Sequence, residues 1–254
     1  MRLGYNDQGL SATWSGGSWS GDLTPANQLA NRFIAAKART TSAAALTLTA
    51  TLAASTSIDV VAIAGHNLTL NTATVRVQAG SFDSGAVTVA AAGSLPFLTP
   101  VFCCLLPAAE TASSVQIDIA DTGNADGYLE IGRVLIMQDA YPFTRQHIVY
   151  PAYRGWADGT QITESLGGFQ FPDQRPPRRM ERFTLDGLTA AMEAGLWGAA
   201  GTEGLSGEVL FIHDQTQVDV SYDRMFLGRL RRLNELEMRS FGRNLVEFEV
   251  GEVF

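Results

Sequence analysis

The chain has 254 residues, enough for one large domain or two modest ones, each with a real core. Hydrophobic residues make up 46% and charged residues 17%, which excludes a disordered chain. The net charge of −8 and a pI near 4.9 exclude a general nucleic-acid or membrane-surface binder, since either needs a basic face.

The opening MRLGYNDQGL lacks a basic region followed by an apolar one, so no signal peptide is expected there. WSGGSW, from Trp14 to Trp19, predicts a hairpin around a Gly-rich turn, and Thr24-Pro25 predicts a short helical turn through Leu29. Period-two runs follow. They are LTLTATL (Leu46 to Leu52), IDVVAIA (Ile58 to Ala64), ATVRV (Ala73 to Val77), AVTVA from Ala86, VFCCLL from Val101, VQIDI from Val115 and YLEIGRVLIM from Tyr128. GHN at Gly65 to Asn67, AGSFDSG at Ala79 to Gly85 and DTGNADG at Asp121 to Gly127 are the turn signals between them. Seven or more short strands at this spacing predict a β-sandwich or barrel.

From Thr144 to Thr160 the strand rhythm is lost, which predicts a linker or exposed loop. Strands are expected around Gln161 to Phe171 and Arg182 to Leu185, on either side of the Pro- and Arg-rich PDQRPPRR. DGLTAAMEAGLWGAA predicts the one substantial helix, near Gly187 to Ala199, with Asp186 as N-cap and Gly201 as its end. Strands at Glu208 to His213 and Arg224 to Leu230 and a hairpin from Leu236 to Val253 complete a small α+β unit.

Chemistry is sparse along this order. His66, His147 and His213 are far apart and fall in no two-ligand spacing, so each reads as a turn or surface residue. No Gly-x-Ser-x-Gly elbow marks a nucleophile. Cys103 and Cys104 are adjacent inside FCCLL and read as apolar residues of a buried strand, not as a disulfide framework or reactive thiols. DTGNADG has the acidic spacing of a calcium loop only in part, and an ordinary turn is the favoured reading. No catalytic residue, metal ligand or cofactor is therefore assigned.

Two features point to binding. Trp14 and Trp19 are candidate platforms for a sugar ring, against the alternative that they pack beneath the sandwich. The Arg-rich stretches, with Arg178 and Arg179 in one and Arg229, Arg231 and Arg232 in another, are a candidate assembly interface, against a solvated face paired with nearby Glu.

IDVVAIAGHNLT followed by ATVRV, VQIDI and YLEIGRVLIM resembles the galactose-binding-like jelly rolls of bacteriophage tail proteins. GGFQF, RRMERFTLDGLT and YDRMFLGRL also resemble tail-protein phrases, and their strand–helix–strand order is similar to that of tail-tube-like domains. The resemblance implies a mainly β chain, with a β-sandwich at residues 1–145 and an α+β assembly domain at 146–254. It implies a structural subunit of the tail tip or baseplate of a long-tailed phage, linking the tube to host-contacting parts. The alternative is a carbohydrate- or receptor-binding module of the tail. Expected partners are other tail proteins (tube, hub or fibre subunits), further copies in a ring and a cell-surface glycan, with no nucleic-acid contact and no membrane insertion. The expected place is the virion, after synthesis in the host cytoplasm.

Overall fold

The computed structural model describes residues 1–90, 99–139, 148–213, 225–232, 237–240 and 243–253. The first part carries β1 (Arg2–Tyr5), β2 (Thr13–Ser15), β3 (Ala38–Arg39), β4 (Ala45–Ala64), β5 (Thr74–Ala79), β6 (Phe82–Asp83) and β7 (Val87–Thr88). It continues with β8 (Val101–Ala120), β9 (Glu130–Ile131) and β10 (Arg133–Asp139), and its helical pieces are a 3-10 turn at Gly9–Ser11 and the short α1 (Pro25–Gln28). The second part carries β11 (Ile148–Ala157), β12 (Gln161–Glu164), β13 (Gln170–Asp173), β14 (Arg178–Leu185) and α2 (Ala190–Glu203). β15 (Val209–Ile212), β16 (Met225–Leu230), β17 (Glu237–Ser240) and β18 (Arg243–Glu252) follow. The chain is mainly β, with a jelly-roll-like sandwich and one substantial helix.

β4 and β8 are each 20 residues long and pair antiparallel from Ala45↔Ala120 to Ala64↔Val101. The sequence splits each into two runs, and the structure joins them. Ala53 to Ser57 hold no Gly or Pro to turn the chain, so the backbone stays extended and absorbs the break as a register shift between Thr51 and Thr56.

In the near half of β4, Leu46, Leu48, Ala50 and Leu52 alternate with outward residues. In the far half both faces are buried, which is why VVAIA and VFCCLL read as continuous apolar runs. Val61, Ile63, Phe102, Cys104 and Ile136 enter the sandwich core. Their neighbours Val60, Ala62, Cys103, Leu105 and Leu135 enter a separate core, shared with Leu210, Ile212, Met225 and Leu227 of β15 and β16.

That shared core joins the two parts, and β1 joins them again through its backbone. It pairs with β15 on one side (Leu3↔Phe211) and with β10 on the other (Gly4↔Asp139). A single sheet path therefore runs β11-β14-β18-β16-β15-β1-β10-β4-β8-β5-β6. The expected boundary between residues 145 and 146 lies outside the described residues.

Three local expectations change. Trp14 to Trp19 is not a hairpin: β2 pairs with β4 (Trp14↔Ala50), and the positive-φ Gly16 and Gly17 turn the chain away to a bridge between Trp19 and Thr40. Residues 148–157 of the expected linker form β11, whose period is obscured by Pro151 and by a bulge between Val149 and Tyr153. The helix starts later than expected. Thr189, not Asp186, is the N-cap, accepting from the Met192 amide at 3.4 Å, and α2 runs through Gly201 to Glu203. Met192, Leu196 and Ala199 bury its inner face against Phe183, Phe211 and Phe248. The turn of the expected terminal hairpin, at Phe241 and Gly242, lies outside the described residues, while β17 and β18 on either side of it pair antiparallel.

Candidate functional site

At one end of the sandwich, four segments lie side by side. Ser20 donates to the Arg39 carbonyl, Thr40 to the Leu129 carbonyl, and Glu130 to the Asn67 side chain. The Glu130 carboxylate accepts from Lys37 at 2.8 Å and from Arg39, whose guanidinium lies 4.4 Å from the centre of the Tyr128 ring. Asn67 donates to Asp126 at 2.9 Å, and the buried Asp121 accepts from the amide and hydroxyl of Thr69 and from Asn124. DTGNADG is thus a turn held by its own Asx bonds, with the Asp126 amide donating to Asn124, and by Asn67 and Thr69 outside it. Among the described residues no three His, Cys, Asp or Glu side chains are grouped to hold a metal ion.

His66 lies in the expected turn after β4 but not at the surface. It is buried, its Nδ1 accepts from the Leu68 amide at 3.2 Å, and its Nε2 has no protein partner. Burial pushes its pKa down to about 4, with Lys37 adding to the effect and Asp121 opposing it. His213 is exposed, and His147 lies outside the described residues.

The two tryptophans separate. Trp14 is only 8% exposed and its indole N–H donates to the Gly9 carbonyl, so it is a core residue with no face for a ligand. Trp19 is half-buried, packs on the edge of the same core and donates to the Gly16 carbonyl at 2.6 Å. It stays available at the polar end of the sandwich, next to Thr40. Cys103 and Cys104 are both buried, and burial pushes the Cys104 thiol up to about 12, which leaves no thiolate for chemistry.

The Arg residues separate as well. Arg179 cannot meet a partner molecule: it is buried, paired with Glu252, and donates to the Met225 carbonyl at 2.8 Å. Arg229 reaches inward to Glu208 at 3.1 Å. Glu208 also pairs with the buried Arg133, whose other arm holds Asp7. This Asp7–Arg133–Glu208 chain crosses between the two parts of the molecule. Sequence reasoning missed it, and its one signal is a charged residue opening the apolar run RVLIM. Burial raises the Asp7 pKa, although Arg133 and the amides of Ile136 and Gly9 pull it down.

Arg178, Arg231 and Arg232 are exposed, with Arg182 beside them. Arg182 and Arg232 both pair with Glu247, so two guanidinium groups share one carboxylate. Arg231 lies over Gly251, where any Cβ would clash with its guanidinium. On the opposite face of β14, Glu181 faces Arg154 at 3.2 Å, yet burial raises its pKa to about 7.

The most unusual surface is one the sequence did not flag. β12 and β13 form a two-stranded sheet of their own, and every residue of both strands is exposed. Ile162, Leu166, Phe169 and Phe171 stand in solvent there, with Phe169 73% and Phe171 61% exposed. Tyr153 and Trp156 on the neighbouring strand β11 are exposed too. QITESLGGFQF reads like any other pair of strands. Only the missing third strand makes it an arm.

No family model matches the sequence, and a search of curated proteins finds no match. Solved structures match about half of the chain. The family 32 CBM from C. perfringens NanJ, in complex with galactose, is 18% identical, with 54% of this chain and 100% of that chain covered and a TM-score of 0.38. The chitosan-binding module 1 of a chitosanase/glucanase from Paenibacillus sp. IK-5 is 14% identical over 53% of this chain and 100% of its own, with a TM-score of 0.39. CpGH89CBM32-5 from Clostridium perfringens, in complex with GalNAc-beta-1,3-galactose, is 11% identical over 52% of this chain and 100% of its own, also with a TM-score of 0.39.

Proposed function

We propose that this chain is a structural subunit that acts by assembly, in the tail tip or baseplate of a long-tailed bacteriophage. The observation that supports an assembly role is the apolar arm at residues 161–173. A two-stranded hairpin is marginal in water by itself, and four large apolar side chains with no cover are retained where a partner covers them. The placement in a phage tail rests on the sequence phrases of both parts. Other tail proteins are then its partners, the virion its place, and a ring of copies its setting.

A second reading, a carbohydrate- or receptor-binding module, has its own observation: the sandwich end carrying Trp19, Arg39, Tyr128 and Glu130. Aromatic rings beside charged and amide groups suit a sugar, but a jelly roll does not carry a ligand with it.

One pair of measurements on the full chain separates the readings. Immunogold labelling of intact particles should mark the tail tip, and a glycan array should retain no sugar. Particles without label, or a glycan whose binding is lost in Trp19→Ala or Tyr128→Ala, would overturn the assembly reading in favour of the second.

A further inference from the structure

We infer that the arm of one copy docks on the Arg-lined face of β14 and β18 of a second copy. The inference deepens the assembly reading and rests on it. The two surfaces are complementary in three respects.

The first is charge. From Ala157 to Gln174 the chain has Asp158, Glu164 and Asp173 and no Lys or Arg. Asp173 is met by Arg175 at 3.1 Å, which leaves the carboxylates of Asp158 and Glu164 to give the arm its acidic character. The receiving face presents Arg178, Arg182, Arg231 and Arg232 against Glu247 and Glu249, with Arg182 and Arg232 both paired with Glu247, so basic groups are in excess there.

The second is chemistry. Register Thr163↔Phe171 puts Phe171 on one side of the hairpin, and alternation puts Phe169 on that same side. A guanidinium stacks on an aromatic face while its N–H groups stay available to carboxylates. The same register puts Asp173 on the Phe171 side and Glu164, opposite Gln170, on the other, so the arm brings aromatic rings and one carboxylate to a face that offers several guanidinium groups.

The third is geometry. Arm and face are different surfaces of one chain, so the contact is head-to-tail. Each copy gives one and receives one, and such contacts close into rings when the rotation allows.

Sedimentation of the full chain over a concentration series tests the docking. The wild-type chain should self-associate reversibly. Phe169→Ser with Phe171→Ser, and separately Arg182→Ser with Arg232→Ser, should each weaken association by about thirtyfold or more, as loss of paired hot-spot residues does. Mixing the two variants is the decisive arm. One intact arm and one intact face remain, so the mixture should form dimers and stop there. A wild-type chain that stays monomeric, an arm variant that associates like wild type, or a mixture that stays monomeric would each overturn the docking. Tail-tip labelling of particles requires no self-association, so it can succeed or fail independently.

Discussion

The two parts of this chain differ in how far each finishes its own surface. Among the described residues, Phe33 is the only exposed large hydrophobic side chain before residue 140, whereas Val149, Tyr153, Trp156, Ile162, Leu166, Phe169, Phe171, Trp197 and Leu205 are all exposed in the second part. The sandwich turns its period-two strands inward on one core and gives its spare faces to a second core. The second part is a sheet with one helix on one side, and it leaves an edge strand, an arm and an Arg-lined face outside. Exposed edges and apolar patches of that kind are where partner contacts are made in other proteins. The first part closes over its own apolar side chains, and the second leaves its own outside.

The largest effect should come where the two parts meet. Arg133→Met leaves Asp7 and Glu208 buried without their shared partner, and should cost about 3–5 kcal/mol in denaturant unfolding. Adding Asp7→Asn and Glu208→Gln should restore much of it. A loss below about 1 kcal/mol for the single variant would mean that the parts hold together without this chain of charges.

Next in size are two pH effects of opposite sign, one in each part. His66 has a folded pKa of about 4, below its ordinary 6.5. Between those values the unfolded chain binds a proton that the folded chain refuses, so stability is present above 6.5 and is lost as pH falls toward 4. Glu181 has a folded pKa of about 7, above its ordinary 4.5. There the folded chain holds the extra proton, so its contribution is present below 4.5 and is lost as pH rises through 7. Each effect is on the order of 1–3 kcal/mol. His66→Gln should flatten the acid side of the stability profile, and Glu181→Gln the side from 4.5 to 7. An unchanged profile in either variant would reassign that slope to other groups.

The smallest effect is the sharpest contrast. Phe171→Ser on the arm should change monomer stability by no more than about 0.5 kcal/mol, whereas Phe102→Ala, its reference in the sandwich core, should match the loss at Arg133 at about 3–5 kcal/mol. A large loss at Phe171 in a dilute monomer would show that the arm packs on its own chain, and the contrast between the parts would fall.

Much of the fold was legible in the sequence because alternation reports one-sided burial directly. β5 and the near half of β4 follow it residue by residue. Partner choice was not legible. Nothing local in Trp14 to Trp19 says that its strand pairs with β4, and Pro151 with a bulge hides β11. The helix cap moved from Asp186 to Thr189 because both are good caps, and only packing of Met192 and Leu196 decides between them. Arg179 looked like its neighbours Arg178 and Arg182 until pairing with Glu252 placed it inside. For the arm, exposure is a property of what fails to pack on a strand, and a sequence does not record that.

Hydrogen exchange on the full chain, dilute and concentrated, tests the contrast between the parts most directly. Residues 161–173 should exchange quickly in the dilute monomer and become protected as copies associate, together with the backbone around Arg182 and Arg232, while β4 and β8 stay unchanged. Protection that appears at the sandwich end around Trp19 and Tyr128, with the arm still exchanging quickly, would contradict the account.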